Sequence, residues 1–178
     1  TSGGLAATQG SNTSGGETSS IAFSGMSDIW FFDVIDVVAD SSRQYIYESS
    51  TNAGQNSGAF AMYIDGSTLT IFNKRGTANL SNSYPISTGR QLISIRIQNN
   101  APFATATQVF INEAEITKSS VSGFGNFELT DQVLYVGARG GSTNGFQGKR
   151  QASIFYPAGQ SANRTGIETI LKNLYGTP

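Results

Sequence analysis

Alternating apolar and polar positions dominate the chain from residue 21 onward. In residues 91–98 three isoleucines alternate with Ser94, Arg96 and Gln98, which is the two-residue period of a half-buried strand. Runs rich in β-branched and aromatic residues predict further strands at residues 27–39, 43–48, 59–65, 68–73, 107–111, 114–116, 134–137 and 152–156. Short strands separated by Gly- and Asn-rich turns favour an all-β, two-sheet antiparallel sandwich.

The pattern changes once, near the end of the chain. Residues 163–175 carry apolar side chains at helical spacing: Ile167, Ile170, Leu171, Leu174 and Tyr175. Gly176 follows the last of them, where a glycine commonly ends a helix. The sequence therefore predicts one short amphipathic C-terminal helix with these five side chains on its apolar face.

The first 20 residues differ in composition from the rest. They consist largely of Gly, Ser and Thr, a composition typical of flexible linkers. A chain of 178 residues suits one β-sandwich domain. We therefore expect a flexible arm or linker at residues 1–20 and a single domain at residues 21–178.

Several segments, in order, resemble the concanavalin A-like, laminin-G-like jelly-roll family, particularly its bacterial and phage members. The segments are DIWFFDVIDVV, QYIYESS, GAFAMYIDGSTLTIF, RQLISIRI, TQVFINEAEI, LYVGARGGSTNGFQGKRQASIFY and NRTGIETILKNLYG. The resemblance covers residues 21–178 and implies a jelly-roll sandwich. Some members of this family hydrolyse glycans, and others bind Ca²⁺ through loop oxygens.

The Gly-rich residues 136–150 raise the alternative of a phosphate-binding loop. The G-x-x-x-x-G-K-[ST] pattern would need a glycine where Thr143 stands and a Ser or Thr where Arg150 stands. The residues that follow predict a strand, whereas a phosphate loop opens a helix. We therefore interpret this segment as a connection between strands, although its tip could contact a ligand.

Composition limits the chemistry. The net charge of −1 supplies no basic field for nucleic acid, and no apolar run reaches membrane-spanning length. Histidine and cysteine are both absent, which removes the usual triads and imidazole acid–base catalysis. The E-x-D-x-x-E strand of glycan-hydrolysing jelly rolls is also absent, and Asp33 and Asp36 face opposite sides of a strand. We predict that the chain is not an enzyme.

Candidate ligand-binding residues lie near predicted turns and on aromatic strands: Arg43, Tyr45, Arg75, Arg139 and Asn144. Arginine forks suit the hydroxyl and carboxylate groups of sugars. The resemblance adds calcium as the one cofactor to consider, with Asp33, Asp36 and Asp40 as oxygen donors. No further cofactor is expected.

The low charged fraction, 13%, and the Ser-, Thr-, Asn- and Gly-rich composition favour an exposed recognition domain. Our first expectation is a non-catalytic or structural domain on a virion surface, such as a phage spike, fibre or capsid decoration. Its partners would be a host glycan, another surface or virion protein, and other copies of itself in a homo-oligomer. One alternative is a carbohydrate-binding or adhesion module of a secreted bacterial protein, placed extracellularly or at the cell surface. Another is a glycan hydrolase or lyase.

Overall fold

Two antiparallel sheets form the framework of this computed structural model, which describes residues 16–140 and 144–178. The strands are β1 (Gly16–Ile21), β2 (Asp28–Val37), β3 (Gln44–Ser49), β4 (Phe60–Asp65), β5 (Thr68–Arg75), β6 (Ala78–Pro85), β7 (Gly89–Gln98), β8 (Thr107–Ile111), β9 (Ala114–Glu115), β10 (Ser120–Ser122), β11 (Gln132–Val136) and β12 (Lys149–Tyr156). The helices are α1 (Phe103–Ala106) and α2 (Arg164–Tyr175), and a 3-10 turn spans Phe23–Gly25. The predicted all-β sandwich with a C-terminal helix is confirmed.

The strand order places the two shortest strands, β9 and β10, at sheet edges. The seven-stranded sheet runs β1-β11-β3-β4-β5-β6-β10, and the five-stranded sheet runs β12-β2-β7-β8-β9. The main core lies between the sheets, where Phe31 and Ile35 of β2 meet Met62 and Ile71 of the other sheet. No helix within the described residues has the length and apolar character that a membrane crossing requires.

Strand β2 is apolar on both faces because both faces are covered. Its odd-numbered residues enter the main core, while Trp30, Phe32 and Val34 form a second cluster on the outer face. Leu171 of α2 packs on this second cluster. Helix α2 therefore lies on the outer face of the five-stranded sheet.

Helix α2 confirms the predicted element but corrects its predicted apolar face. Leu171 is buried, whereas Ile170 and Leu174 are 66% and 68% exposed. Successive residues of a helix are rotated by about 100°, so the apolar positions of this helix cover a wider arc than one contact with a sheet can bury. Gly176 ends the helix in the left-handed conformation, with φ of 63°, as predicted.

Three strands were not predicted from the sequence: β1, β6 and β10. Strand β1 takes up residues 16–20, so this part of the predicted arm is wrong, and residues 1–15 lie outside the described residues. Its side chains are mostly exposed, and backbone pairing with β11 holds it in place. Strand β6 lacks an apolar alternation because a polar residue, Asn82, faces the core, where its amide donates to the Phe103 carbonyl and the Thr107 hydroxyl.

Candidate functional site

A β-bulge in β3 turns Tyr45 to the outer face of the seven-stranded sheet. Tyr45 pairs with Tyr63 of β4, but Tyr47 pairs with Met62, so the register shifts between the two β3 positions. Two consecutive residues, Ile46 and Tyr47, therefore both face the main core, as a bulge allows. Tyr45 and Tyr63 lie together on the opposite face, with ring centroids 5.3 Å apart.

Two arginines flank these rings. The Arg43 guanidinium lies 4.2 Å from the centre of the Tyr63 ring, and that of Arg139 lies 5.9 Å from the centre of the Tyr45 ring. Their side chains are 44% and 34% exposed, and Tyr63 is half-buried, whereas Tyr45 is buried beneath them. We call Arg43, Tyr45, Tyr63 and Arg139 the aromatic–arginine patch.

The patch has one carboxylate at each end. Asp65, the last residue of β4, lies 3.6 Å from Nε of Arg43, and this pair is about half exposed. Glu48 lies 3.7 Å from Nε of Arg139 and is almost wholly buried. The two guanidinium groups are thus balanced within the chain, but the Arg43–Asp65 contact is long enough for a ligand anion to compete with it.

Glu48 joins two loops beside the patch. Its Oε1 accepts the Ala53 N–H and its Oε2 accepts the Gly140 N–H, each at 2.8 Å. Burial raises the pKa of the Glu48 carboxyl, although both N–H groups and Arg139 favour its charged form. Arg139 also donates to the side-chain oxygen of Asn52 at 2.7 Å. A single carboxylate therefore positions the loops on both sides of Tyr45.

The Gly-rich connection contributes backbone as well as side chains to the site. Gly140 has a φ of +51°, and a Cβ there would lie 2.8 Å from the Thr51 carbonyl oxygen, so only glycine fits without displacing the neighbouring loop. Asn144 has a φ of 48°, and its carbonyl accepts the Tyr45 N–H at 2.9 Å. Gly140 and Asn144 are thus held next to the patch by Glu48 and by β3, whereas residues 141–143, part of the tip that could contact a ligand, lie outside the described residues.

Four of the five predicted ligand residues thus lie together: Arg43, Tyr45, Arg139 and Asn144. Arg75 does not join them, because it lies at the opposite end of β5, beside the turn to β6 and against Gly125. The ligand prediction did not include Tyr63, Glu48 or Asn52. The hairpin pairing of β3 with β4 could have indicated Tyr63, but no local signal marks Glu48 as a buried loop anchor.

The three aspartates considered for calcium lie in different surroundings. Asp33 is buried between the sheets and accepts hydrogen bonds from the Tyr47 and Ser153 hydroxyls. Burial raises its pKa, although Arg150 and these two donors act in the opposite direction. On the other face of β2, Asp36 pairs with Arg90 at 3.0 Å, and the Arg90 hydrogen bond lowers the pKa of Asp36.

Asp40, the third of these aspartates, accepts hydrogen bonds from the backbone and hydroxyl of Ser42. The three carboxylates therefore do not come together. Within residues 16–140 and 144–178, no group of three or more acidic side chains could hold a metal ion. Calcium binding stays a prediction without a ligand set.

The sequence matches no protein-family model and no curated protein. Solved structures show a clear likeness of fold. The CBM40 of the Ruminococcus gnavus IT-sialidase, bound to α2,6-sialyllactose, has a TM-score of 0.57 and 12% identity over 93% of this chain and 96% of that one. A NanB chain has a TM-score of 0.58 and 14% identity over 89% of this chain and 27% of its own.

Botulinum neurotoxin type C, whose passage into cells is dependent upon interaction with two ganglioside molecules, shares the fold as well. It has a TM-score of 0.52 and 12% identity over 85% of this chain and 36% of its own. At these identities the likeness concerns the fold alone. The chain therefore has the jelly-roll type of β-sandwich that is found in these proteins.

Proposed function

We propose that this chain is a non-catalytic glycan-binding module and that the aromatic–arginine patch is its ligand site. The observation that carries this proposal is the placement of two partly exposed guanidinium groups over two adjacent tyrosine rings. The apolar face of a sugar ring packs on an aromatic ring, and arginine forks bind hydroxyl and carboxylate oxygens. A sheet face is also a rigid support for such contacts.

The chemistry of the patch favours an acidic sugar. Arginine binds a carboxylate with two parallel hydrogen bonds, which gives it both charge and geometric selectivity. The ligands named for the structural neighbours, sialyllactose and gangliosides, are consistent with this class. A neutral glycan offers no anion to the two arginines, which would then stay paired with Asp65 and Glu48.

Of the functions that the sequence leaves open, the carbohydrate-binding or adhesion module receives more support than the virion domain. The support is the likeness of fold to CBM40, a carbohydrate-binding module, over nearly the whole of both chains. We accordingly propose an extracellular or cell-surface setting. A place on a phage virion and membership of the concanavalin A-like family stay predictions.

Binding measurements on patch variants test the proposal. We expect α2,3- and α2,6-sialyllactose to bind measurably better than lactose in calorimetric titrations. Arg43→Ala and Tyr63→Ala should each weaken that binding at least about tenfold, because each removes a contact of roughly 1.4 kcal/mol or more. Arg75→Ala is the matched control, since it removes an arginine from the far end of β5 and should leave binding unchanged.

Two results would contradict the proposed site or function. Equal losses for Arg75→Ala and Arg43→Ala would mean that the patch is not the site. Absence of binding to any glycan on a broad array, by protein that is folded, would refute the glycan-binding function. Repeating the array with calcium and with a chelator tests the calcium prediction.

The enzymatic alternative has its own test. The protein is incubated with sialyllactose at stoichiometric concentration, and free sugars are separated by chromatography. We expect no released sugar. Release of sialic acid or of an anhydro product, lost in Arg43→Ala, would show that the patch is catalytic.

A further inference from the structure

A group of polar and charged side chains lies between the two sheets. Asp33 of β2 is 1% exposed, and its Oδ1 accepts hydrogen bonds from the hydroxyls of Tyr47 and Ser153. Arg150 of β12 donates from Nη2 to the Ile46 carbonyl at 2.9 Å. We call Asp33, Tyr47, Arg150 and Ser153 the inter-sheet polar cluster.

The inter-sheet polar cluster joins the two sheets at one place. Asp33, Arg150 and Ser153 belong to the five-stranded sheet, whereas Tyr47 belongs to β3 of the other sheet. Burying charged groups is unfavourable, and apolar side chains of similar volume often stabilise a core as well or better. General stability therefore does not account for the cluster. Its hydrogen bonds to β3 end on two consecutive residues, Ile46 and Tyr47, which indicates a local role.

Ile46 and Tyr47 form the bulge that turns Tyr45 to the outer face of the sheet. In a regular strand, residues two positions apart face the same side. Without the bulge Tyr45 would therefore face the core together with Tyr47, and a register shift of one residue would instead move Tyr47 away from Asp33. Only the bulged strand places Tyr47 against Asp33 and Tyr45 outside.

We propose that Asp33, Tyr47 and Arg150 are positioning residues of the ligand site, because they hold the β3 bulge and so keep Tyr45 in the aromatic–arginine patch. They lie on the core side of β3, so their effect on a ligand passes through Tyr45. Asp33 holds the side chain of one bulge residue, and Arg150 holds the backbone of the other. The effect on binding rests on the proposed function, whereas the placement of Tyr45 does not.

Arg150 also links the bulge to the Gly-rich connection that follows β11. Its guanidinium lies 5.0 Å from the centre of the Tyr47 ring and 5.9 Å from the centre of the Phe146 ring. The Phe146 N–H donates to the Gly137 carbonyl, and the Gly137 N–H donates to the Ile46 carbonyl, each at 2.8 Å. Arg150 and Gly137 thus share one carbonyl, which has two lone pairs. The bulge and the connection are therefore held together.

A cluster that only stabilised the sandwich would affect unfolding and leave the ligand site unchanged. Tyr84 offers a matched comparison, because its buried hydroxyl also makes hydrogen bonds, to the carbonyl and hydroxyl of Thr107 at 3.1 and 2.7 Å. Tyr84 lies in β6, which pairs with neither β3 nor β4. Tyr47→Phe and Tyr84→Phe each remove one buried hydroxyl, so both should lower the Tm by similar amounts.

Calorimetric titration with α2,6-sialyllactose separates positioning from general stabilisation. We expect Tyr47→Phe to raise the Kd about two- to tenfold, because the bulge that the ligand site needs loses one hydrogen bond. Arg150→Lys keeps the positive charge but loses the planar fork, and it should raise the Kd as well. Tyr84→Phe should bind like the wild type. An unchanged Kd for Tyr47→Phe, or an equal rise for Tyr84→Phe, would overturn the positioning role.

The placement of Tyr45 can be measured without any glycan. The ring centroids of Tyr45 and Tyr63 lie 5.3 Å apart, so nuclear Overhauser contacts between their ring protons are expected in tyrosine-labelled wild type and in Tyr84→Phe. In Tyr47→Phe and Arg150→Lys these contacts should weaken, and contacts from Tyr45 to core side chains should appear. Ring contacts that stay unchanged in both variants would overturn the proposal.

The two measurements distinguish failure of the positioning role from failure of the glycan function. If the folded wild type binds no glycan, the proposed function is refuted, and the ring contacts alone decide whether the cluster positions Tyr45. If the wild type binds sialyllactose and Tyr47→Phe keeps both its affinity and its ring contacts, the patch stands as the ligand site and the positioning role is refuted.

Discussion

Replacing Glu48 with alanine tests whether one buried carboxylate holds both loops beside the aromatic–arginine patch. The change leaves the N–H groups of Ala53 and Gly140 without their 2.8 Å acceptors. A buried donor without a partner costs about 1–3 kcal/mol, so about 2–6 kcal/mol is an upper range for the two together, because the Ala53 N–H is buried and the Gly140 N–H only partly so. Because burial raises the pKa of Glu48, removing its charge recovers part of the desolvation cost. We therefore expect a loss in the lower half of the range, about 3 kcal/mol.

Urea unfolding followed by the fluorescence of Trp30, which is buried beneath α2, measures this loss. For a chain of this size about 3 kcal/mol corresponds to a fall in Tm of about 6–12 °C. Glu48→Gln keeps one carbonyl acceptor and should fall between the wild type and Glu48→Ala. The control is Glu17→Ala, which removes an exposed carboxylate of the same sheet and should change the unfolding free energy by less than about 0.5 kcal/mol. A loss below about 1 kcal/mol for Glu48→Ala would refute the anchoring role.

Three further predictions concern the folded domain. Because burial raises the pKa of Asp33, its contribution to stability is largest below its ordinary pKa and declines as the pH rises from there through the raised value. In urea titrations Asp33→Asn should therefore lose less unfolding free energy than the wild type as the pH rises above the ordinary pKa of an aspartate, and equal losses would contradict this. Gly148→Ala should destabilise the folded domain by about 1–3 kcal/mol, because the new Cβ would lie 1.8 Å from the Asp36 carbonyl oxygen. An unchanged Tm of this variant would contradict the expected clash. Only Leu171 is buried, whereas Leu174 is exposed. In thermal unfolding of dilute protein, Leu171→Ala should therefore cost about 2–5 kcal/mol and Leu174→Ala less than about 0.5 kcal/mol. Similar losses at both positions would contradict the observed orientation of α2.

Much of the fold can be predicted from the sequence because the signals for strands, turns and helix ends are local. The alternation of isoleucines in β7 depends only on residues two positions apart, and the burial of Ile93, Ile95 and Ile97 agrees with it. The turn at residues 65–67 joins β4 to β5 as its Asp-Gly pair predicts. Gly176 ends α2 for an equally local reason, the absence of a Cβ.

The candidate site was only partly predictable. Four ligand candidates near turns prove to be neighbours, but the sequence could not separate them from Arg75, which has the same chemistry. Their proximity depends on the pairing of β3 with β4 and on the backbone hydrogen bonds that Gly137 and Asn144 make with β3. These contacts join residues that lie far apart along the chain.

The sequence by itself determined the all-β class, most of the strands and the absence of histidine and thiol chemistry, because these depend on composition and on the period of neighbouring residues. Only the tertiary structure decided which polar residues face inward and which apolar residues face outward. Asn82 is accommodated in the core by distant acceptors, a bulge in β3 brings Tyr45 to the outer face, and the rotation of α2 leaves Ile170 and Leu174 exposed. Each outcome is set by a partner from another part of the chain, and a local pattern contains no information about that partner.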